Sequence, residues 1–172
     1  MTAGDPPAAV ALDGAGLAYR VIVHDRPVRS LAEAAQARGV EPADVIKTLV
    51  VRRGADDYLF VLVPGDRVIS WPKLRTLLGV NRITMPDAGE AKDATGYERG
   101  TITPFGSTRP WPVVADERIV GRTITLGAGA HNVARPRAGY ASQGGSFGIR
   151  GGIGLGANTD GMSSRPRPAA AE

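Results

Sequence analysis

Two apolar runs five residues apart limit this chain more than any other feature. VIKTLVVR (Val45 to Arg52) and YLFVLV (Tyr58 to Val63) are apolar at odd and even positions alike and rich in β-branched side chains. A strand with one wet face alternates; a strand covered on both faces does not. The intervening RGADD, 53–57, has the glycine and aspartates of a hairpin turn. The chain therefore needs a sheet with packing on each side.

The segments around the hairpin supply that packing. Ser30 followed by Glu33 is a capping box, with a hydroxyl to accept from the helix and a glutamate to reach back. It opens a short helix that Gly39 closes. Ser70-Trp71-Pro72 starts a second helix, ended by Gly79, and Asp87 to Glu90 leads a third to Thr95. Further strands are predicted at Tyr19 to Val23, Val80 to Thr84, Val113 to Asp116 and Thr123 to Leu126. Helices and strands interleave without βαβ regularity, which predicts an α+β domain around a mixed, barrel-like sheet ringed by short helices. Its limits are set at 17–133. Residues 1–16, rich in Ala, Gly and Pro, read as a flexible leader. Residues 134–172 are dense in Gly, Ser, Pro and Arg and read as a disordered tail, or as the product of a shifted reading frame.

Composition excludes several chemistries. With no cysteine there is no disulfide framework, thiolate nucleophile or thiolate metal site, which fits a reducing cytoplasm. The N-terminus lacks the basic and apolar regions of a secretory signal, and no apolar run is long enough to span a bilayer. A formal charge of +4 permits contact with a polyanion without demanding it. Gly144 to Gly148 matches G-x-S-x-G, but no histidine follows Ser146. Gly152 to Ala157 mimics a dinucleotide loop without the strand and helix that such a loop joins. His24 and His131 are too few and too far apart to argue a metal site, and no cofactor is expected.

The candidate chemistry lies elsewhere. Lys47 stands in the middle of an apolar strand. It is either a solubilising ammonium at the strand edge or a point charge for a phosphate or a developing oxyanion. TGYERGTITPFG, 95–106, packs three glycines and a proline into twelve residues. Its Gly96, Gly100 and Gly106 either make turns or let main-chain N–H groups cradle an anion. Gly127 and Gly129 follow a strand and form a second wall of that pocket or an exit turn. Asp116 closes a strand, where it either faces the pocket or is solvated.

SLAEAAQARGV, VIKTLVV, LVPGDRVISWPKLRTLLGV, TGYERGTITPFG and ITLGAGAH, in that order, resemble the YbaK/ProX-type aminoacyl-tRNA deacylases, a family that includes the editing domain inserted in some prolyl-tRNA synthetases. The resemblance covers roughly residues 17–131. It implies a hydrolase that cleaves the ester of a mischarged tRNA, with the tRNA for proline carrying a small amino acid as the expected substrate. Lys47 aligns with the family's key lysine. Gly96, Gly100, Pro104 and Gly106 align with its glycine-rich loop, and Gly127 and Gly129 with its late glycine turn; Tyr97, Phe105 and Asp116 join them as substrate-binding candidates. Val28, Ser30, Val50 and Val61 are candidates for setting side-chain size. The expected partners are the aminoacylated 3′ end of tRNA and prolyl-tRNA synthetase, with the chain acting as a monomer or weak dimer. A module that binds tRNA or a nucleotide without turnover is the alternative. Family members continue into a final strand and an amphipathic helix, and here the Gly/Ser/Arg tail stands in that place.

Overall fold

The computed structural model describes residues 6–16, 18–129, 133–137 and 149–150. Its centre is the hairpin. Strands β2 (Ile46–Gly54) and β3 (Asp57–Pro64) pair antiparallel, with Lys47 opposite Val63 and Val51 opposite Leu59. Asp56 turns the chain at φ 54°, a conformation that aspartate tolerates better than most residues. β3 also pairs in parallel with β4 (Val113–Ala115), which carries the two-residue β7 (Ile149–Arg150) on its far side.

Both faces of β3 are covered, as its unbroken apolar run requires. Tyr58, Phe60 and Leu62 join one core cluster with Val50, Ile124 and Leu126. Leu59, Val61 and Val63 face a second cluster with Val51, Val114 and Leu74. Leu74 comes from α3 (Trp71–Leu78), and the first cluster takes Ala91 and Ala94 from α4 (Ala88–Thr95). A second sheet is antiparallel in the order β1 (Ile22–Val23), β6 (Val133–Arg137), β5 (Ile124–Gly127). One parallel bridge, Val45 to Thr125, connects it to the hairpin sheet. Helix α2 (Leu31–Arg38) lies near that bridge, with Ala34 and Ala35 buried against Val45. No helix among the described residues is long and apolar enough to cross a membrane.

The caps follow the sequence. Ser30 Oγ accepts from Glu33 N at 3.1 Å, while the Glu33 carboxylate reaches back to Arg29 N at 2.9 Å. Asp87 Oδ1 accepts from Glu90 N at 2.8 Å. The Glu90 side chain turns away, accepting from Tyr58 Oη at 2.6 Å.

Four expectations are corrected. The leader contains helix α1 (Pro7–Gly14), which buries Ala8, Ala9 and Leu12. Pro7 occupies the first helical turn, where its missing N–H costs nothing, and the alanines let the helix approach the core closely. Val80 to Thr84 is no strand: Thr84 exchanges one reciprocal pair of hydrogen bonds with Arg52, at 2.8 and 3.0 Å, and its neighbours find no ladder. The predicted strand at Tyr19 is reduced to Ile22–Val23. Finally, β6 and β7 fall in the stretch expected to be disordered. β6, inserted between β1 and β5, is fixed by the ladders beside it as much as by its own composition. The G-x-S-x-G match, the dinucleotide-like glycines and His131 lie outside the described residues.

Candidate functional site

A cavity of about 750 Å³ opens between β2 and α2. Val28 to Leu31 and Ala34 line one side, Ile46 to Val50 the floor, and Met85 to Ala88 with Ala91 another side. Arg99, Gly100, Thr101, Ile102 and Gly127 form the loop wall, and His24, Pro27, Arg38 and Val45 complete the lining.

Lys47 reaches this cavity from the start of β2, as its second residue. Its ammonium donates to the carbonyl of Arg67, in the turn after β3. Burial lowers its pKa from the usual lysine value, and the Asp66 carboxylate opposes the shift. The amine is therefore fixed in place by a neutral acceptor rather than neutralised by a bonded carboxylate. Beside it, the Thr48 hydroxyl is buried without a partner among the described residues.

The loop wall is held by its own hydrogen bonds. Thr101 N and Thr101 Oγ1 both donate to the Glu98 carbonyl, at 3.0 and 2.8 Å. Gly129 N donates to the Thr101 carbonyl at 3.0 Å. Gly127 is the close-approach position: a Cβ there would lie 2.9 Å from Thr101 O and 3.0 Å from Ile102 O. Such distances require the backbone to move, so only glycine lets β5 and the loop sit together. The N–H groups of Gly100 and Ile102 make no hydrogen bond among the described residues. Both residues line the cavity.

Of the residues singled out in the sequence, the cavity brings together Lys47, Gly100 and Gly127. Val28, Ser30 and Val50 also line it, whereas Val61 is fully buried in the second core cluster. Gly96, Tyr97, Pro104, Phe105, Gly106, Asp116 and Gly129 do not line it. Gly96 caps α4. Tyr97 and Phe105 are buried, with Tyr97 Oη donating to Phe105 O at 2.7 Å. Burial raises the Tyr97 pKa to about 12, so the phenol keeps its proton. Gly106 and Gly129 leave room for that ring: a Cβ would lie 2.8 Å from Tyr97 Oη at the first and 2.5 Å from Tyr97 Cε1 at the second. These residues are the mounting of the loop, not its inner surface. Asp116 is neither solvated nor in the cavity. It is fully buried, accepts from Arg118 N at 2.9 Å and caps a short 3-10 turn, Glu117–Ile119.

Sequence reasoning missed Arg38, Thr48 and Arg99, all of which line the cavity. Their spacing carries no signature. A basic residue in the last turn of a helix reads as a complement to the helix dipole, and threonine is ordinary in a strand. The cavity's charge is lopsided: Arg29, Arg38, Lys47 and Arg99 face Asp87, whose Oδ1 is engaged as the α4 cap. An anionic ligand fits that balance. Among the described residues no group of three or more His, Cys, Asp or Glu is arranged to hold a metal ion.

A family model for the aminoacyl-tRNA editing domain matches residues 25–134. The chain belongs to that family. The match takes in the cavity from Val28 to Gly127. Over 100 residues this editing domain is 35% identical to a proline–tRNA ligase of Thermosipho melanesiensis, covering 58% of this chain but only 17% of the ligase. It is 27% identical to the candidate Cys-tRNA(Pro)/Cys-tRNA(Cys) deacylase EbsC of Enterococcus faecalis, covering 58% of this chain and 62% of EbsC. Its fold matches the crystal structure of a candidate trans-editing enzyme for prolyl-tRNA synthetase with a TM-score of 0.70 at 26% identity, over 78% of this chain and 87% of the other.

Proposed function

We propose that this editing domain is a deacylase that cleaves the ester of a mischarged tRNA, with the tRNA for proline carrying a small amino acid as its substrate. The observation that carries the reading is the convergence of Lys47, from the sheet, and the Arg99–Ile102 loop on one cavity. The relatives bear on the choice of ester, since they include proline–tRNA ligases and a candidate Cys-tRNA(Pro) deacylase.

An aminoacyl ester is already activated, so no serine or cysteine nucleophile is required. Water adds to the carbonyl carbon, the bond to the ribose oxygen breaks, and that oxygen leaves with a proton. The products are the free amino acid and the uncharged tRNA. The chain's task is to hold the ester and to stabilise the negative oxygen as it forms. The Gly100 and Ile102 N–H groups are the donors for that oxygen, and the Lys47 ammonium adds a positive charge fixed by the Arg67 carbonyl. Val28, Leu31, Val50 and Met85 limit the acyl side chain, so small residues enter and larger ones are refused. Prolyl-tRNA synthetase, as the source of the mischarged substrate, is the natural partner, and the cytoplasm the setting.

The test is release of labelled amino acid from Ala-, Cys- and Pro-tRNA for proline. The reading expects rapid release of alanine or cysteine and slow release of proline. Tight binding of charged tRNA with no release of any amino acid would reduce the chain to a binding module.

A further inference from the structure

Arg38 sits in the wall of the same cavity, at the last turn of α2. Its Nε donates to His24 Nε2 at 3.3 Å and its Nη1 to Thr125 Oγ1 at 3.0 Å. His24 is buried and Thr125 fully so. Both acceptors are neutral. Burial, then the Arg38 charge, lowers the His24 pKa against the opposing pull of Asp25, and accepting at Nε2 puts the imidazole proton on Nδ1. Arg38 forms no ion pair among the described residues.

This is an unusual place for a guanidinium. Of its five N–H groups, two have partners, leaving three for a ligand. A strut between α2 and β5 would need only a neutral donor and would avoid the cost of removing a charge from water. The helix dipole favours a cation here, yet Arg38 donates to His24 and Thr125 rather than to a carbonyl of the helix. Arginine's planar fork, by contrast, matches phosphate with two parallel hydrogen bonds. His24 and Thr125 hold the guanidinium through Nε and Nη1 without competing for its charge, and neither takes a proton of Nη2.

We infer that Arg38, positioned by His24 and Thr125, forms a phosphate-binding site in the cavity wall, distinct from Lys47 and the loop. The source of the phosphate rests on the proposed function: it is the phosphodiester joining the terminal adenosine of the tRNA to the nucleotide before it.

The test measures equilibrium binding of cytidylyl-(3′→5′)-adenosine, 5′-AMP and adenosine to the full chain and to two variants, Arg38→Gln and Arg38→Lys. Gln retains a donor and removes the charge; Lys retains the charge and removes the fork. In the wild type the dinucleotide is expected to bind at least about tenfold tighter than adenosine, the scale of a hydrogen-bonded charge pair. Arg38→Gln should remove that advantage, Arg38→Lys should keep part of it, and adenosine should bind all three alike. An Arg38-dependent advantage for 5′-AMP but none for the dinucleotide keeps the phosphate site and overturns its assignment to tRNA. No advantage in the wild type, or a full advantage in Arg38→Gln, overturns the site itself. If Arg38→Gln fails to fold, Arg38→Lys decides: a reduced advantage supports the site and a full advantage overturns it, because the lysine charge alone cannot reproduce the two-point grip. Binding rather than turnover is read, so a chain that shows the advantage but hydrolyses no ester would refute the deacylase reading and leave this site standing.

Discussion

A side-chain carbon at Gly127 would lie 2.9 Å from the carbonyl oxygen of Thr101. The end of β5 and the cavity loop are thus in contact through bare backbone, and the position of Gly100 and Ile102 depends on it. Gly127→Ala is expected to push the loop outward at a stability cost of about 1–3 kcal/mol, the range for overpacking. Hydrolysis of a mischarged tRNA should fall by more than the loss of folded protein explains. Comparing kcat/KM with the melting temperature of the same variant checks this. Unchanged kinetics would show that the loop's position is not critical.

His24 gives the fold an acid limit. Burial and Arg38 depress its folded pKa below the ordinary 6.5, so the folded state prefers the neutral ring. The stability this contributes is present above pH 6.5 and is lost as pH falls through the depressed folded value. Protonation also removes the acceptor that Arg38 uses. Melting temperature should therefore fall on acidification in that window, and His24→Gln, which keeps an acceptor but no titratable group, should flatten the fall. Equal slopes for both proteins would count against the buried pairing.

Helix α1 is part of the core. Leu12 is 2% exposed and packs in the same cluster as Phe60 and Phe105. Leu12→Ala should destabilise the chain by about 2–5 kcal/mol, measured by denaturant unfolding. An effect within about 0.5 kcal/mol, typical of surface sites, would return residues 7–14 to the role of a loose leader.

What was readable in the sequence follows from how local each signal is. The β2–β3 hairpin has its apolar code in adjacent residues, so its two-faced burial was plain. The caps of α2 and α4 depend on one hydroxyl or carboxylate and an amide three residues away. By contrast, α1 has no side-chain cap and owes its place to contacts far along the chain, such as Ala8 N to Ala128 O at 3.4 Å. The loop at 95–106 was visible from its glycines and proline, but composition cannot say which residues face inward. Gly100 lines the cavity, while Tyr97 and Phe105 turn into the core and tie the loop down. Arg38 was invisible because its partners, His24 and Thr125, are 14 and 87 residues away.

Lys47, whose amine is fixed by the Arg67 carbonyl, is the cation on which the proposed hydrolysis depends most. The direct measurement is the single-turnover rate of alanine release from Ala-tRNA for proline by the wild type and by Lys47→Ala, with folding of both checked by melting temperature. The account predicts a folded variant slowed by roughly 100-fold or more, the scale of losing one preorganised electrostatic group. A folded variant that releases alanine at the wild-type rate would contradict it.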